Sequence, residues 1–106
     1  MRKLPVSVLL FLPIVVCGQD RYLIDWEANG EESIDHLVEL IKIDTSNPPG
    51  NETEAANYLQ AVLAGEGIAS DLYALEPERA NLVARIKGNG SKRPILIMAH
   101  TDVVGV

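Results

Sequence analysis

The stretch ILIMAHTD, residues 95–102, is the most informative part of this sequence for the fold. Five consecutive apolar residues lie between Pro94 and a polar triplet, which predicts a central β-strand that is buried on both faces. In open α/β sheets, ligands bind at the carboxyl ends of such strands. The triplet His100-Thr101-Asp102 is therefore the candidate functional site.

Residues i and i+2 of an extended segment point to the same side, so the Asp102 carboxylate can accept a hydrogen bond from the His100 imidazole. Such a bond fixes the tautomer of the ring and presents its other nitrogen to a metal ion. The same triplet also arises by chance, with the histidine serving only a structural role at a strand end. The residues alone leave both interpretations open.

Two helices are predicted upstream of this strand. Apolar residues recur at helical spacing over residues 33–43, and His36 lies away from that apolar stripe, which predicts a solvated side chain. Pro48-Pro49 stops the first helix because proline disfavours helical geometry in the residue before it. Asn51, with Glu54 three residues later, predicts a capping box at the start of a second helix, which ends at the glycines within residues 65–67.

Short strands follow the helices. Residues 69–75 and 81–86 have strand patterns, and residues 87–91 are typical of a hairpin-like turn. Helices followed by strands predict an α/β layered domain with a mixed central sheet. No helix follows residues 95–99 to cover that strand, so we expect an incomplete fold.

Composition excludes several function classes. Fifteen acidic and nine basic residues give a formal charge of −6, which would repel a phosphate backbone, so no nucleic-acid partner is expected. One cysteine cannot form an internal disulfide. With only two histidines, a metal site of the multi-Cys or multi-His kind cannot be assembled.

The amino terminus has the pattern of a secretory signal. Arg2 and Lys3 precede an apolar run over residues 6–17, which is shorter than the roughly 20 residues that span a bilayer as a helix. We expect a signal peptide at residues 1–18, cleaved after Gly18, a secreted or periplasmic location, and no stable membrane span in the mature form. An uncleaved anchor and lipid attachment at Cys17 are the alternatives.

Three segments in order carry a family resemblance: residues 44–52 after the first helix, residues 79–84 in a strand, and residues 95–104. Together they resemble the co-catalytic zinc aminoacylase/carboxypeptidase family, which includes aminoacylases, acetylornithine deacetylase, succinyl-diaminopimelate desuccinylase and glutamate carboxypeptidase. The resemblance implies that residues 19–106 are the amino-terminal portion of a zinc-exopeptidase-like catalytic domain.

By this resemblance, His100 would ligate one of two zinc ions and Asp102 would be the catalytic-site residue that orients it. Cobalt or manganese are alternative metals. The general base and the remaining ligands would lie beyond residue 106, so the 106-residue chain alone should be inactive, and dimerisation is expected in the intact protein only. The substrate would be a small peptide or N-acyl amino acid whose amide bond is attacked by a metal-activated water. No substrate-binding residue can be assigned.

A second hypothesis is a noncatalytic secreted α/β binding module, or an inactive gene remnant, in which the His100-Thr101-Asp102 triplet is structural. The coding sequence downstream of Val106 discriminates between the two, since a two-metal hydrolase needs further acidic ligands.

Overall fold

The structure, a computed structural model, describes residues 23–105 of the 106-residue chain. The predicted signal peptide, residues 1–18, lies outside the described residues. The described residues form a mixed α/β fold, which confirms the predicted fold class. In chain order the elements are α1 (Trp26–Lys42), β1 (Ser46–Asn47), α2 (Glu52–Gly65), β2 (Ser70–Ala74), β3 (Ala80–Ala84) and β4 (Val103–Val104).

Helix α1 is longer than the apolar spacing predicts, because it begins at Trp26 rather than near residue 33. Asp25 is its N-cap, and the Asp25 carboxylate accepts a hydrogen bond from the Ala28 backbone N–H at 3.0 Å. This cap satisfies one of the amides that a helix start leaves without an intrahelical partner. The first turns carry no apolar period, so the pattern could not reveal them. No residue of α1 is buried, and all of its large apolar side chains except Leu40 are exposed.

Helix α2 starts where predicted, with Asn51 as the N-cap, but the predicted capping box is wrong. The Asn51 side-chain amide donates to Glu54 Oε2 at 2.8 Å and makes no hydrogen bond to the helix backbone. The amides that a cap would serve are already bonded. The Thr53 N–H donates to the Glu78 carbonyl at 2.9 Å, and the Glu54 N–H donates to the Asn51 carbonyl at 3.1 Å.

Helix α2 ends at the glycines within residues 65–67, as predicted. The helix stops at Gly65, and Gly67 has a φ of +70°, which is the left-handed conformation that glycine adopts without a Cβ clash. The Gly67 N–H donates to the Ala64 carbonyl and the Ile68 N–H donates to the Leu63 carbonyl. These two bonds satisfy carbonyls of the last turn in the Schellman arrangement.

Strands β2 and β3 pair antiparallel, with Ser70 opposite Ala84, and α2 packs against them. Their connection is residues 75–79. The hairpin-like turn predicted at residues 87–91 forms only in part. Residues 87–91 do turn, with Gly90 at a φ of +79°, but no paired strands flank this turn in the described part of the chain.

The prediction of a buried central strand at residues 95–99 is also wrong for the described residues. Four of these side chains are 79–90% exposed, and none of the described strands pairs with the segment. A strand exists only where its backbone N–H and C=O groups find partners on a neighbouring strand. Within residues 23–105 the apolar run has no strand to pair with, so it stays extended and exposed.

The buried interior of the described region is small. Its buried apolar residues are Ala55 and Ala56 of α2 and Ala80 at the start of β3. Two polar residues, Thr45 and Glu52, are buried beside them. Within residues 23–105 no helix is long and apolar enough to cross a membrane.

Candidate metal centre

The candidate centre lies where two distant segments meet. Strands β1 and β4 pair in parallel, with Ser46 opposite Val103, so the turn after α1 lies beside the residues that follow His100. Residues 46 and 103 are far apart in sequence, and only the tertiary structure brings them together. The pairing places the triplet at residues 100–102 immediately before a hydrogen-bonded strand.

His100 and Asp102 make the contact predicted from their spacing. The His100 Nδ1 atom lies 3.0 Å from Asp102 Oδ1 and 3.2 Å from the Asp102 carbonyl oxygen. A backbone carbonyl can only accept a hydrogen bond, so Nδ1 carries the proton in this geometry. In the neutral imidazole the Nε2 atom then keeps its lone pair, and the ring is 86% exposed. The structure thus presents a free imidazole nitrogen, oriented by a carboxylate.

The His100–Asp102 pair fits a histidine that ligates a metal ion and a carboxylate that orients that histidine. Metal-bound histidines almost always donate their second ring N–H to a carboxylate or carbonyl, as His100 does here. Over residues 23–105, no cluster of three or more histidine, cysteine, aspartate or glutamate side chains could hold a metal ion. A zinc ion normally takes four ligands, so the pair supplies at most part of a site. The roles of His100 and Asp102 stay predictions.

Thr45 is a site residue that the sequence did not reveal. It is only 5% exposed, its hydroxyl donates to the Thr101 carbonyl at 2.6 Å, and its own carbonyl accepts from the Val103 N–H at 3.1 Å. A threonine before a proline turn gives no sequence signal for this role, because its partners lie more than fifty residues away.

Asp44 stabilises the backbone between α1 and β1 through hydrogen bonds to its carboxylate. The Ser46 side chain and the Ser46 backbone N–H, which lies 3.0 Å from Asp44 Oδ1, hydrogen-bond to the carboxylate. These bonds favour the charged form, so the pKa of Asp44 is lower than its ordinary value. The turn is thereby fixed immediately ahead of β1.

A second ionic contact, Glu52 with Arg79, was also not predicted. Glu52 is 8% exposed, and its two carboxylate oxygens accept hydrogen bonds from Arg79 Nε and Nη2, each at 3.2 Å. Gly50 leaves the space for this pair: its φ is +89°, and a Cβ there would lie 2.9 Å from both Glu52 oxygens. Arg79 leads into β3, so the ion pair joins the start of α2 to the sheet.

The two pairs share one open cleft of about 530 Å³. Glu52 and Arg79 line it from α2 and the start of β3, and His100 and Asp102 line it from the segment before β4. The cleft carries the His100 ring, the carboxylates of Glu52, Glu76 and Asp102, and the Arg79 guanidinium on its walls.

His36 does not have the solvated position predicted for it. Its Nδ1 lies 2.7 Å from the Tyr58 hydroxyl, its ring packs edge-on against the Tyr58 ring, and its side chain is 35% exposed. The helical wheel of α1 alone could not show this, because the partner comes from α2. His36 joins the two helices and is remote from the candidate centre in its contacts.

Comparison with known proteins identifies relatives of the chain. No family model and no solved structure matches it. A probable succinyl-diaminopimelate desuccinylase from Staphylococcus aureus is 39% identical over 75 residues, which is 70% of this chain and 18% of the relative. A protein of the same name from Staphylococcus epidermidis is 39% identical over 75 residues, covering 70% of this chain and 17% of the relative. The chain thus spans less than a fifth of the length of these curated relatives.

The resemblance to the zinc aminoacylase/carboxypeptidase family is confirmed. This family generally uses zinc. The match covers 70% of this chain. A histidine ring nitrogen that keeps its lone pair is a donor that zinc accepts.

Proposed function

We propose that this chain is the amino-terminal part of a metal-dependent hydrolase that cleaves the amide bond of small N-acyl amino acids or dipeptides. The observation that carries the proposal is the His100–Asp102 contact at 3.0 Å, which leaves the outer ring nitrogen free at the rim of an open cleft. The desuccinylase relatives support the reaction class, because a desuccinylase removes an acyl group from an amine. Residues 19–106 would then be one portion of the catalytic domain.

His100 would be a ligand of the metal, which is zinc with cobalt or manganese as alternatives. When bound, such an ion acts as a Lewis acid that polarises an amide carbonyl and promotes attack by water. Asp102 accepts a hydrogen bond from the Nδ1–H of His100, so it holds the ring in one tautomer and leaves the Nε2 lone pair for the metal.

We propose export for the whole protein. Residues 1–18 would be a cleaved signal peptide, and the mature protein would begin at Gln19 and act outside the cytoplasm. The proposal rests on the basic start and the short apolar run, and attachment of lipid at Cys17 is the weaker alternative. The chain by itself would be inactive, and dimerisation would belong to the intact protein.

The test uses the protein expressed from its complete coding sequence. His100→Ala should remove one ligand and abolish most zinc binding and hydrolysis of N-succinyl amino acids, N-acetyl amino acids or dipeptides. Asp102→Asn should lower metal affinity or activity about 10- to 100-fold, which is the usual cost of losing the partner of a metal ligand. His36→Ala is the matched control, because His36 contacts Tyr58 instead of the centre.

Near-normal zinc content and hydrolysis in both His100→Ala and Asp102→Asn would contradict the proposal. Zinc loss in His36→Ala equal to that in His100→Ala would also contradict it, because the effect would then come from general destabilisation. A protein that folds but hydrolyses none of these amides would be the noncatalytic binding module.

A further inference from the structure

Thr45 holds the backbone on both sides of Asp102. Its hydroxyl donates to the carbonyl oxygen of Thr101 at 2.6 Å, and its carbonyl accepts from the N–H of Val103 at 3.1 Å. The first bond fixes the peptide group that precedes Asp102, and the second fixes the peptide group that follows it. Thr45 is itself 5% exposed, so water competes little for either bond.

The orientation of His100 depends on Asp102 alone in the described structure. Both atoms that accept from His100 Nδ1, the carboxylate oxygen and the carbonyl oxygen, belong to Asp102. The residues before His100 give it no support, because residues 95–99 are exposed and unpaired within the described range. A shift of the Asp102 backbone would therefore move both acceptors away from the ring.

We infer that Thr45 is a positioning residue of the metal centre: its hydroxyl fixes the Asp102 backbone and so sets the tautomer and direction of the His100 imidazole. The inference rests on the proposed function for its metal-binding consequence, but the ring orientation is a property of this chain's own residues. A purely structural Thr45 would hold β1 to β4 without any effect on the ring beyond loss of stability.

The first test measures the ring nitrogens of His100 by ¹⁵N NMR in the metal-free protein, expressed from its complete coding sequence and kept in alkaline buffer. The wild-type protein should have its proton on Nδ1. Thr45→Val keeps the shape of the side chain but removes the donor, so it should give a mixture of tautomers. Thr45→Ser retains the hydroxyl and should restore the wild-type shifts, and Thr45→Cys, a weaker donor, should lie between them.

The second test measures zinc affinity with zinc alone as the probe. Thr45→Val should weaken binding about tenfold, which is the low end of the usual effect of a group that supports a metal ligand. In an Asp102→Asn background the same substitution should add nothing, since residues that act through one another are non-additive. Thr45→Ser should bind zinc as the wild-type protein does.

The outcomes separate this inference from the proposed function. Wild-type ring shifts in Thr45→Val, or independent losses of affinity in Thr45→Val and Asp102→Asn, would overturn the role of Thr45 even if His100 binds zinc. Ring shifts that follow the donor series would support it even if His100→Ala leaves the zinc content unchanged, in which case only the proposed function fails. Should Thr45→Val not fold, the comparison of Thr45→Cys with Thr45→Ser decides.

Discussion

Replacing Gly50 by alanine should destabilise the protein more than replacing either of two other left-handed glycines. Gly50 has a φ of +89°, and an added Cβ would lie 2.9 Å from both carboxylate oxygens of Glu52 and 3.2 Å from Arg79 Nε. Gly67 at +70° and Gly90 at +79° have similar backbone geometry, yet a Cβ at either position would meet nothing within 4 Å. Alanine at Gly67 or Gly90 therefore measures only the loss of stability from the left-handed backbone, without the steric clash expected at Gly50.

The expected loss in the free energy of unfolding has two contributions, the backbone strain and the disruption of the Glu52–Arg79 pair. A left-handed conformation costs a non-glycine residue about 1 kcal/mol or slightly more, and this is the expected effect of Gly67→Ala and Gly90→Ala. At residue 50 the new methyl group must also displace the buried Glu52 carboxylate from Arg79. Hydrogen bonds to charged groups contribute about 1.5–3 kcal/mol each, and the 39% exposure of the Arg79 side chain reduces that value by solvent screening. We therefore expect a total of about 3 kcal/mol for Gly50→Ala.

Urea unfolding of the intact protein, expressed from its complete coding sequence, measures the three variants on one scale. Gly50→Ala in an Arg79→Met background is the further control. The ion pair is already broken there, so the added cost of the alanine should fall to about 1 kcal/mol. A Gly50→Ala variant that loses no more stability than Gly67→Ala and Gly90→Ala, or that loses the same amount with and without Arg79, would contradict a steric clash with the Glu52–Arg79 pair.

Two further predictions concern the turn after α1 and the amino terminus. The carboxyl pKa of Asp44, measured by ¹³C NMR titration, should lie below the ordinary value of about 3.9, and Ser46→Ala should raise it toward that value by removing a hydrogen bond. Because the folded pKa is the lower one, this contact should stabilise the turn above the unfolded pKa and lose its effect as the pH falls through the folded pKa. Mass spectrometry of the exported protein should find a mature chain that begins at Gln19, and a product that retains Met1 or carries lipid on Cys17 would contradict the signal-peptide proposal.

Features that depend on neighbours along the chain could be predicted from the sequence. Helix α1 ends ahead of the proline pair, the glycine at 67 follows the end of α2, and the strand patterns near residues 70–74 and 80–84 appear as β2 and β3. The contact between His100 and Asp102 was also predictable, because a separation of two residues sets it directly. Each of these outcomes follows from local backbone preference or short-range geometry.

The burial of side chains and the pairing of strands depend on contacts between distant segments, which the sequence did not reveal. The two hydrogen bonds of Thr45 to residues 101 and 103 join segments more than fifty residues apart. The buried Glu52 carboxylate is paired with Arg79, which leads into β3. The apolar run at residues 95–99 shows the opposite case, because its composition favours a buried strand while the described chain supplies no partner for it. Apolar composition indicates that burial of a segment would stabilise the fold. The groups that would cover the segment come from distant parts of the chain, so no pattern within the segment identifies them.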